Sequence, residues 1–455
     1  MRLSIIALVA GLATTNAFGR FANAAPRPQR GETSISLPTV ERFVLANGLE
    51  VAVIASATAP VVSVQVWYRV GSKEERRDRR GSAHMFEHMM FKGSRRVRPE
   101  QHAQMINGVG GTTNAATEQD STRYFNSVPA QHLDFAISLE AERMRGLLFR
   151  PAMVEKEKEV VLEELRQEEN SPFIRGLRSM LSAAFEKHPY AWTARGNAKD
   201  IEAISLEDLR SFYDTYYQPN NALLVVVGNT TAAAVRESAE RHFGVIPRGK
   251  QPPPRPANDA TEPAQTAARR VTGPTAGVGV VLIGYKVPAA NHADTYALQV
   301  AQIVLGGGES SRLKRRIQTV DAKTKAPIGI DAAAQALTLE HPGLMILIGA
   351  HLDEGGAARV EAALADEAKK LGDKGPAAEE LQKAKNSIRA YVVGTLEDTS
   401  SLANHVGRSW VLTGDVSTWT RDIGAIEKVT AADVARVAKT YLRPELATTV
   451  VIPRK

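Results

Sequence analysis

Loose alternation of apolar and polar positions over LEVAVIAS (49–56) and closer alternation over VSVQVWYRV (62–70) predict two strands. The pattern then switches to helical spacing in GSAHMFEHMMFKGS (81–94) and again in PEQHAQMI (99–106). Two further strands are expected in TTNAAT (112–117) and TRYFNSV (122–128). Long helical segments follow over residues 130–187, and a last helix and strand over 205–227. Strands and helices mixed without regular βαβ alternation argue for an α+β fold.

The same pattern is written twice. SLEDLRSFYDTYYQPNNALLVVVGN (205–229) pairs with TAADVARVAKTYLRPELATTVVIP (430–453), so that Asp208, Tyr216 and Pro219 match Asp433, Tyr441 and Pro444. VQVWYRVGS (64–72) likewise pairs with VVLIGYKVPA (280–289). Between the copies lies a stretch rich in Pro, Ala and charge, residues 247–274, which reads as a linker. The expected organisation is an internal duplication: two homologous mixed α/β domains, residues 36–246 and 275–455, joined by a Pro-rich segment.

Residues 1–24 stand apart. Arg2, an apolar run from Leu3 to Ala13 and the small residues Ala22-Asn23-Ala24 form the pattern of a cleaved secretory signal. Cleavage after Ala24 or Ala25 and a periplasmic location are expected, and a mitochondrial presequence is the alternative, since Arg20, Arg27 and Arg30 occur with no acid before Glu32. No later window has the apolar length to span a bilayer.

Composition changes this picture only by exclusion. With 43% apolar and 24% charged residues the chain is an ordinary globular one. The net charge of +7 is scattered, and its densest run, KEERRDRR (73–80), is interleaved with acids, so no nucleic-acid partner is expected. There are no cysteines, so a metal here has only histidine and carboxylate to hold it.

Candidate chemistry is concentrated in the helix over 81–94. Ser82 is a candidate N-cap, Lys92 suits the last turn and Gly93 a terminator. His84 and His88 are four residues apart, so both imidazoles leave one face, and the Glu87 carboxylate reaches the same region. Two such imidazoles chelate zinc, and a neighbouring carboxylate outside the ligand set can take a proton from metal-bound water. H-x-x-E-H is the inverted form of a metallopeptidase signature. Carrying the Tyr68–Tyr285 register forward sets Ala301, Val304 and Leu305 opposite these three residues, so only the first copy is polar there. A catalytic zinc takes a third protein ligand. EKEKEVVLEELRQEEN (155–170), read as a helix, puts Glu157, Glu164 and Glu168 on one face with Val161, and spacing alone does not choose among them.

On these motifs the chain resembles the pitrilysin/insulinase zinc metallopeptidases, in particular the branch of the processing peptidases and their secreted bacterial relatives. AHMFEHMMFKGS is similar to that family's zinc helix, GGTTNAATEQDSTRYF (110–125) to its substrate-edge segment and EKEVVLEEL to the helix carrying its third ligand; HPYAW (188–192) also fits. The resemblance implies a catalytic first domain and a degenerate, non-catalytic second one. It implies Zn2+ held by His84, His88 and Glu164, Glu87 as general base, Glu157 supporting the site from behind, and Asn114 and Ala115 on an edge strand that pairs with peptide backbone. The function it implies is a zinc-dependent endopeptidase acting on peptides or unfolded segments. The alternatives are a non-catalytic scaffold or assembly subunit of the same fold, or a mitochondrial presequence-processing peptidase.

One departure bears on partners. Relatives that work as homodimers usually follow the glycine-rich loop, here LGGGESSRL (305–313), with an arginine and a tyrosine that hold substrate carbonyls. Here the loop is followed by Arg315 and Arg316 but no tyrosine before Ala336. A dimer is therefore expected, with a homologous subunit favoured over a second copy of this chain.

Overall fold

A computed structural model describes residues 37–250 and 262–455. The signal-like segment 1–24 and part of the expected linker lie outside the described residues. The first half runs β1 (Glu41–Val44), β2 (Glu50–Ala55), β3 (Val61–Tyr68), α1 (Ser82–Met89), α2 (Gln101–Gly108), β4 (Thr112–Thr117) and β5 (Thr122–Pro129). It continues with α3 (Leu133–Gly146), α4 (Pro151–Glu169), α5 (Pro172–Ala184), α6 (Ala198–Ala203), α7 (Leu206–Tyr216), β6 (Ala222–Gly228) and α8 (Ala232–His242). The second half runs β7 (Arg269–Thr272), β8 (Gly279–Val287), α9 (Thr295–Gly306), α10 (Arg312–Ile317), β9 (Asp331–Leu337) and β10 (Gly343–His351). It closes with α11 (Gly356–Lys374), α12 (Ala378–Leu396), α13 (Thr399–Thr413), α14 (Thr418–Lys428), α15 (Ala431–Tyr441) and β11 (Thr448–Ile452).

Each half builds one mixed sheet. The first has the order β1-β2-β6-β3-β5-β4, the second β7-β11-β8-β10-β9. The repeat ends are built alike: Ser205 and Asp208 cap α7 reciprocally, as Thr430 and Asp433 cap α15. Tyr216 and Tyr441 each end their helix, and Pro219 and Pro444 each open a short 3-10 turn before the closing strand. The polar side chain of each N-cap and the acid three residues later satisfy two of the helix's orphan amides, which is why these ends were readable locally.

The halves are interlocked by exchange of one helix each. From the first half, α5 lays Phe173, Leu177 and Met180 on Leu282, Ile346 and Val450 of the second sheet. From the second, α13 lays Leu402, Val406 and Trp410 on Trp67, Leu223 and Val225 of the first. In element order α13 is the counterpart of α5, so the exchange is reciprocal. Every strand residue of β6 is buried, because α7 and α3 cover one face of the sheet and α13 the other. This is how a run such as ALLVVVG is stable as a strand without alternation. Polar contacts pin the junction: Arg69 stacks over Trp410 and donates to its carbonyl at 2.9 Å. Lys73, fully buried, meets Asp120 at 3.0 Å and also Glu340, while the Tyr190 hydroxyl donates to Asp120 at 2.5 Å.

Candidate metal centre

Helix α1 begins one residue earlier than the capping pattern suggests. Gly81 is the N-cap, at φ 95° in the left-handed region that glycine alone adopts cheaply, and Ser82 instead donates its hydroxyl to the Arg79 carbonyl at 2.6 Å. The helix ends at Met89, so Lys92 is not in its last turn; its ammonium reaches Glu157 at 2.9 Å. Met85, Phe86 and Met89 are buried against the first-half core, with Phe86 stacked on Tyr213. That apolar side fixes the rotation of α1 and leaves His84, Glu87 and His88 facing α4 and β4.

Helix α4 carries its own apolar stripe, Val154, Val161 and Leu165, and Glu157 is buried within it. With the stripe against α1, Glu164 comes to the histidine pair: its Oε2 is 3.7 Å from both His84 Nε2 and His88 Nε2. One ligand atom from each of the three residues lies within 4.8 Å of the other two, the one such group of three among the described residues. The imidazoles are 4.7 Å apart, centre to centre. Glu163, next in sequence, points to solvent and pairs with Arg166 at 2.9 Å.

Glu157 takes a different place from Glu164. Its Oε1 lies 2.8 Å from His88 Nδ1. Burial raises its carboxyl, but the hydrogen bonds from His88 and Lys92 outweigh that and hold it below the usual carboxylate range. An ionised acceptor at that distance fixes the proton on Nδ1 and leaves the Nε2 lone pair towards Glu164. Burial, with Arg195 and His88 adding to it, holds His84 well below the ordinary histidine range, so this imidazole is neutral and able to donate a lone pair. Its Nδ1 is buried without a hydrogen-bond partner.

Glu87 is not among the three convergent donors. Thr117, the last residue of β4, donates its hydroxyl to Glu87 Oε2 at 2.5 Å. Burial pushes the Glu87 carboxyl up, and the Thr117 hydrogen bond and the neighbouring histidine offset part of this. A raised carboxyl is suited to taking and returning a proton near neutral pH.

Arg195, three residues beyond the HPYAW stretch, has no counterpart in the sequence-based expectations. It donates to His84 Nε2 at 2.6 Å, touches Glu164 Oε2 and meets Glu168 at 3.1 Å through Nε. A positive group thus already sits where the donors converge. Two neutral-capable imidazoles and one carboxylate gathered around a cation, without thiolate, match the donor set of a catalytic zinc.

Of the other expected residues, Asn114 and Ala115 lie on β4, the outermost strand of the first sheet, paired with Phe125 and Tyr124 of β5. Asn114 is exposed, and its Oδ1 accepts the Ala115 amide at 2.8 Å. Ala301, Val304 and Leu305 are buried in α9. Arg315 and Arg316 turn to Glu380 and Asp366.

Comparison with known proteins adds the following. Residues 50–196 match the model of the insulinase family (peptidase family M16), and residues 203–388 that of the peptidase M16 inactive domain. The chain is 32% identical over 423 residues to the zinc protease PqqE of Helicobacter pylori, covering 91% of this chain and 93% of that one. It is 25% identical to the mitochondrial-processing peptidase subunit beta of Lentinula edodes, over 93% of each chain. Among solved structures, a protease from Helicobacter pylori superposes with a TM-score of 0.85 at 30% identity, over 91% of this chain and all of that one.

Proposed function

The chain belongs to the insulinase (M16) peptidase family, and on that footing we propose that it is a zinc-dependent endopeptidase whose metal is held by His84, His88 and Glu164. The observation that carries this reading is the convergence of those three donors beside the separately held carboxylate of Glu87. When bound, zinc would supply Lewis acidity, polarising the scissile carbonyl and acidifying water. Glu87 takes the proton of the attacking water on its carboxylate and hands it to the leaving amine. Thr117 keeps that carboxylate at the end of β4, where Asn114 and Ala115 offer backbone to an extended peptide. Glu157 and Lys92 hold the His88 ring in its tautomer.

The test combines metal analysis with a quenched-peptide assay. Glu87→Gln is expected to retain zinc and lose at least about a hundredfold in turnover, the range general acid–base catalysis supplies. Near-normal cleavage by that variant sinks the mechanism.

The reading extends to assembly and location. The second half brings no zinc residues and no tyrosine between its glycine-rich loop and Ala336, and Arg315 and Arg316 are engaged elsewhere. We therefore propose a homologous subunit as partner; full activity from a purified single chain, monomeric or homodimeric by light scattering, would overturn this. We also propose export with removal of residues 1–24, checked by N-terminal sequencing of the mature protein. No helix among the described residues is long and apolar enough to cross a membrane.

A further inference from the structure

The duplication gives the zinc cleft a counterpart. In the first half the cleft is framed by α1, β4 and α4; by element order the second half places α9, β9 and α12 in those roles. A cavity of about 170 Å³ opens there, closed off by α13 and α14. An engineered apolar cavity of about 150 Å³ takes up a benzene ring, so this volume fits one side chain with a planar head.

Its walls are unlike a core. Tyr296 and Trp419 present rings, and Asp422 is the one carboxylate among the residues lining it. Asp422 Oδ1 accepts the Tyr296 hydroxyl at 2.9 Å. Burial raises the Asp422 carboxyl to about 6, offset in part by that bond and by Arg421, which leaves it ionised at neutral pH. Burial also lowers His405 to about 4, with Arg408 adding to it, so its ring is neutral. His405 Nε2 and Trp419 Nε1 are both buried on this wall without a protein partner; the indole N–H only donates, so of the two only the neutral imidazole can accept a hydrogen bond from a cation. Unspent hydrogen-bonding capacity at a cavity marks a place for a polar ligand.

The cavity's cation is already committed. Arg408 donates to Glu118 at 3.2 Å and to the Thr338 carbonyl at 2.8 Å. Those same contacts tie the rim to the cleft: Glu118 follows Thr117, whose hydroxyl holds the Glu87 carboxylate. The end of β4 and the rim of the cavity thus meet at the Arg408–Glu118 pair.

We propose that this cavity is a specificity subsite, taking a basic side chain of the bound peptide, arginine ahead of lysine, onto the Asp422 carboxylate. A guanidinium matches a carboxylate as a planar fork and stacks on aromatic rings, here Tyr296 and Trp419, which an ammonium does less well. The assignment rests on the peptidase reading for the cleft, but its ligand is set by the second half alone.

The experiment uses the full chain and two labelled, unstructured Gly/Ser/Ala peptides that differ only in one arginine replaced by neutral citrulline. Binding is read by anisotropy on Glu87→Gln, and cleavage on the unaltered chain. The arginine peptide is expected to bind about tenfold more tightly, as a charge-assisted hydrogen bond would give. That preference is expected to shrink below about twofold when Asp422→Asn is added. Equal binding of the twins, or binding of neither, overturns the subsite whether or not Asp422→Asn folds. So does a preference that survives Asp422→Asn. Cleavage of both peptides without preference leaves the peptidase reading standing and removes the subsite; arginine-selective binding without any cleavage does the reverse.

Discussion

At the scale of single residues, adjacent glutamates on α4 meet opposite environments. Glu164 faces two imidazoles, while Glu163 is exposed and spends its charge on Arg166. Glu164→Gln is expected to weaken zinc binding at least about tenfold by chelator competition, whereas Glu163→Gln stays near the unaltered value, in keeping with a weak surface pair. Metal content that tracked Glu163 instead would put the wrong face of α4 at the site. Glu157 acts one bond further out: losing its carboxylate frees the His88 tautomer, and such supporting partners are commonly worth about 10- to 100-fold in metal affinity.

At the scale of elements, the tightest constraint lies where α13 crosses the first sheet. A Cβ on Gly407 would stand 2.1 Å from the Trp67 ring, itself fixed by its indole bond to Gln65 at 3.0 Å. Gln65 in turn donates to the Ser400 carbonyl at the start of α13, so the indole has no room to yield. Gly407→Ala is expected to cost about 1–3 kcal/mol in chemical denaturation, as overpacking does, and to lower Trp67 burial as read by fluorescence. An unchanged midpoint would mean that α13 is held less closely than these contacts imply. Gly176 on α5 meets Leu282 of the other sheet in the same way, at 2.7 Å, so each exchanged helix approaches its sheet through a glycine.

At the scale of the whole molecule, stability depends on histidines held neutral by burial. His188 is lowered to about 4, by burial first and then by His341 and Lys73; His405 is lowered to about 4 and His102 to about 3. The unfolded chain binds protons on these rings near pH 6.5, while the folded chain does so only near 4 or below. Between those values the unfolded state holds more protons, so stability falls as pH drops from about 6.5 towards 4. His188→Asn keeps an acceptor for the Tyr190 amide and is expected to flatten that decline in denaturant titrations across the window. A slope that does not change would show that His188 is protonated alike in both states.

Local spacing along the chain determined a good deal of this protein. The i, i+4 interval of His84 and His88, with Glu87 between, sets their direction around a helix axis whatever that helix packs on. The capping pairs Ser205–Asp208 and Thr430–Asp433 satisfy amides within their own first turns, so the repeat and its α+β character were legible. The exact start of α1 was not, because glycine at an N-cap costs little relative to serine, and here the Ser82 hydroxyl is taken up by the Arg79 carbonyl of the preceding turn. Only tertiary structure decided which glutamate of α4 meets the histidines. Glu157, Glu164 and Glu168 share one helical face, and the choice falls to how Val154, Val161 and Leu165 dock against α1. The same holds for Arg195, delivered by a loop with no local signal, for the exchange of α5 and α13, and for the cavity around Asp422. Each depends on surfaces distant in sequence finding one another, and apolar burial, being non-directional, leaves no fixed interval along the chain from which to read the partner.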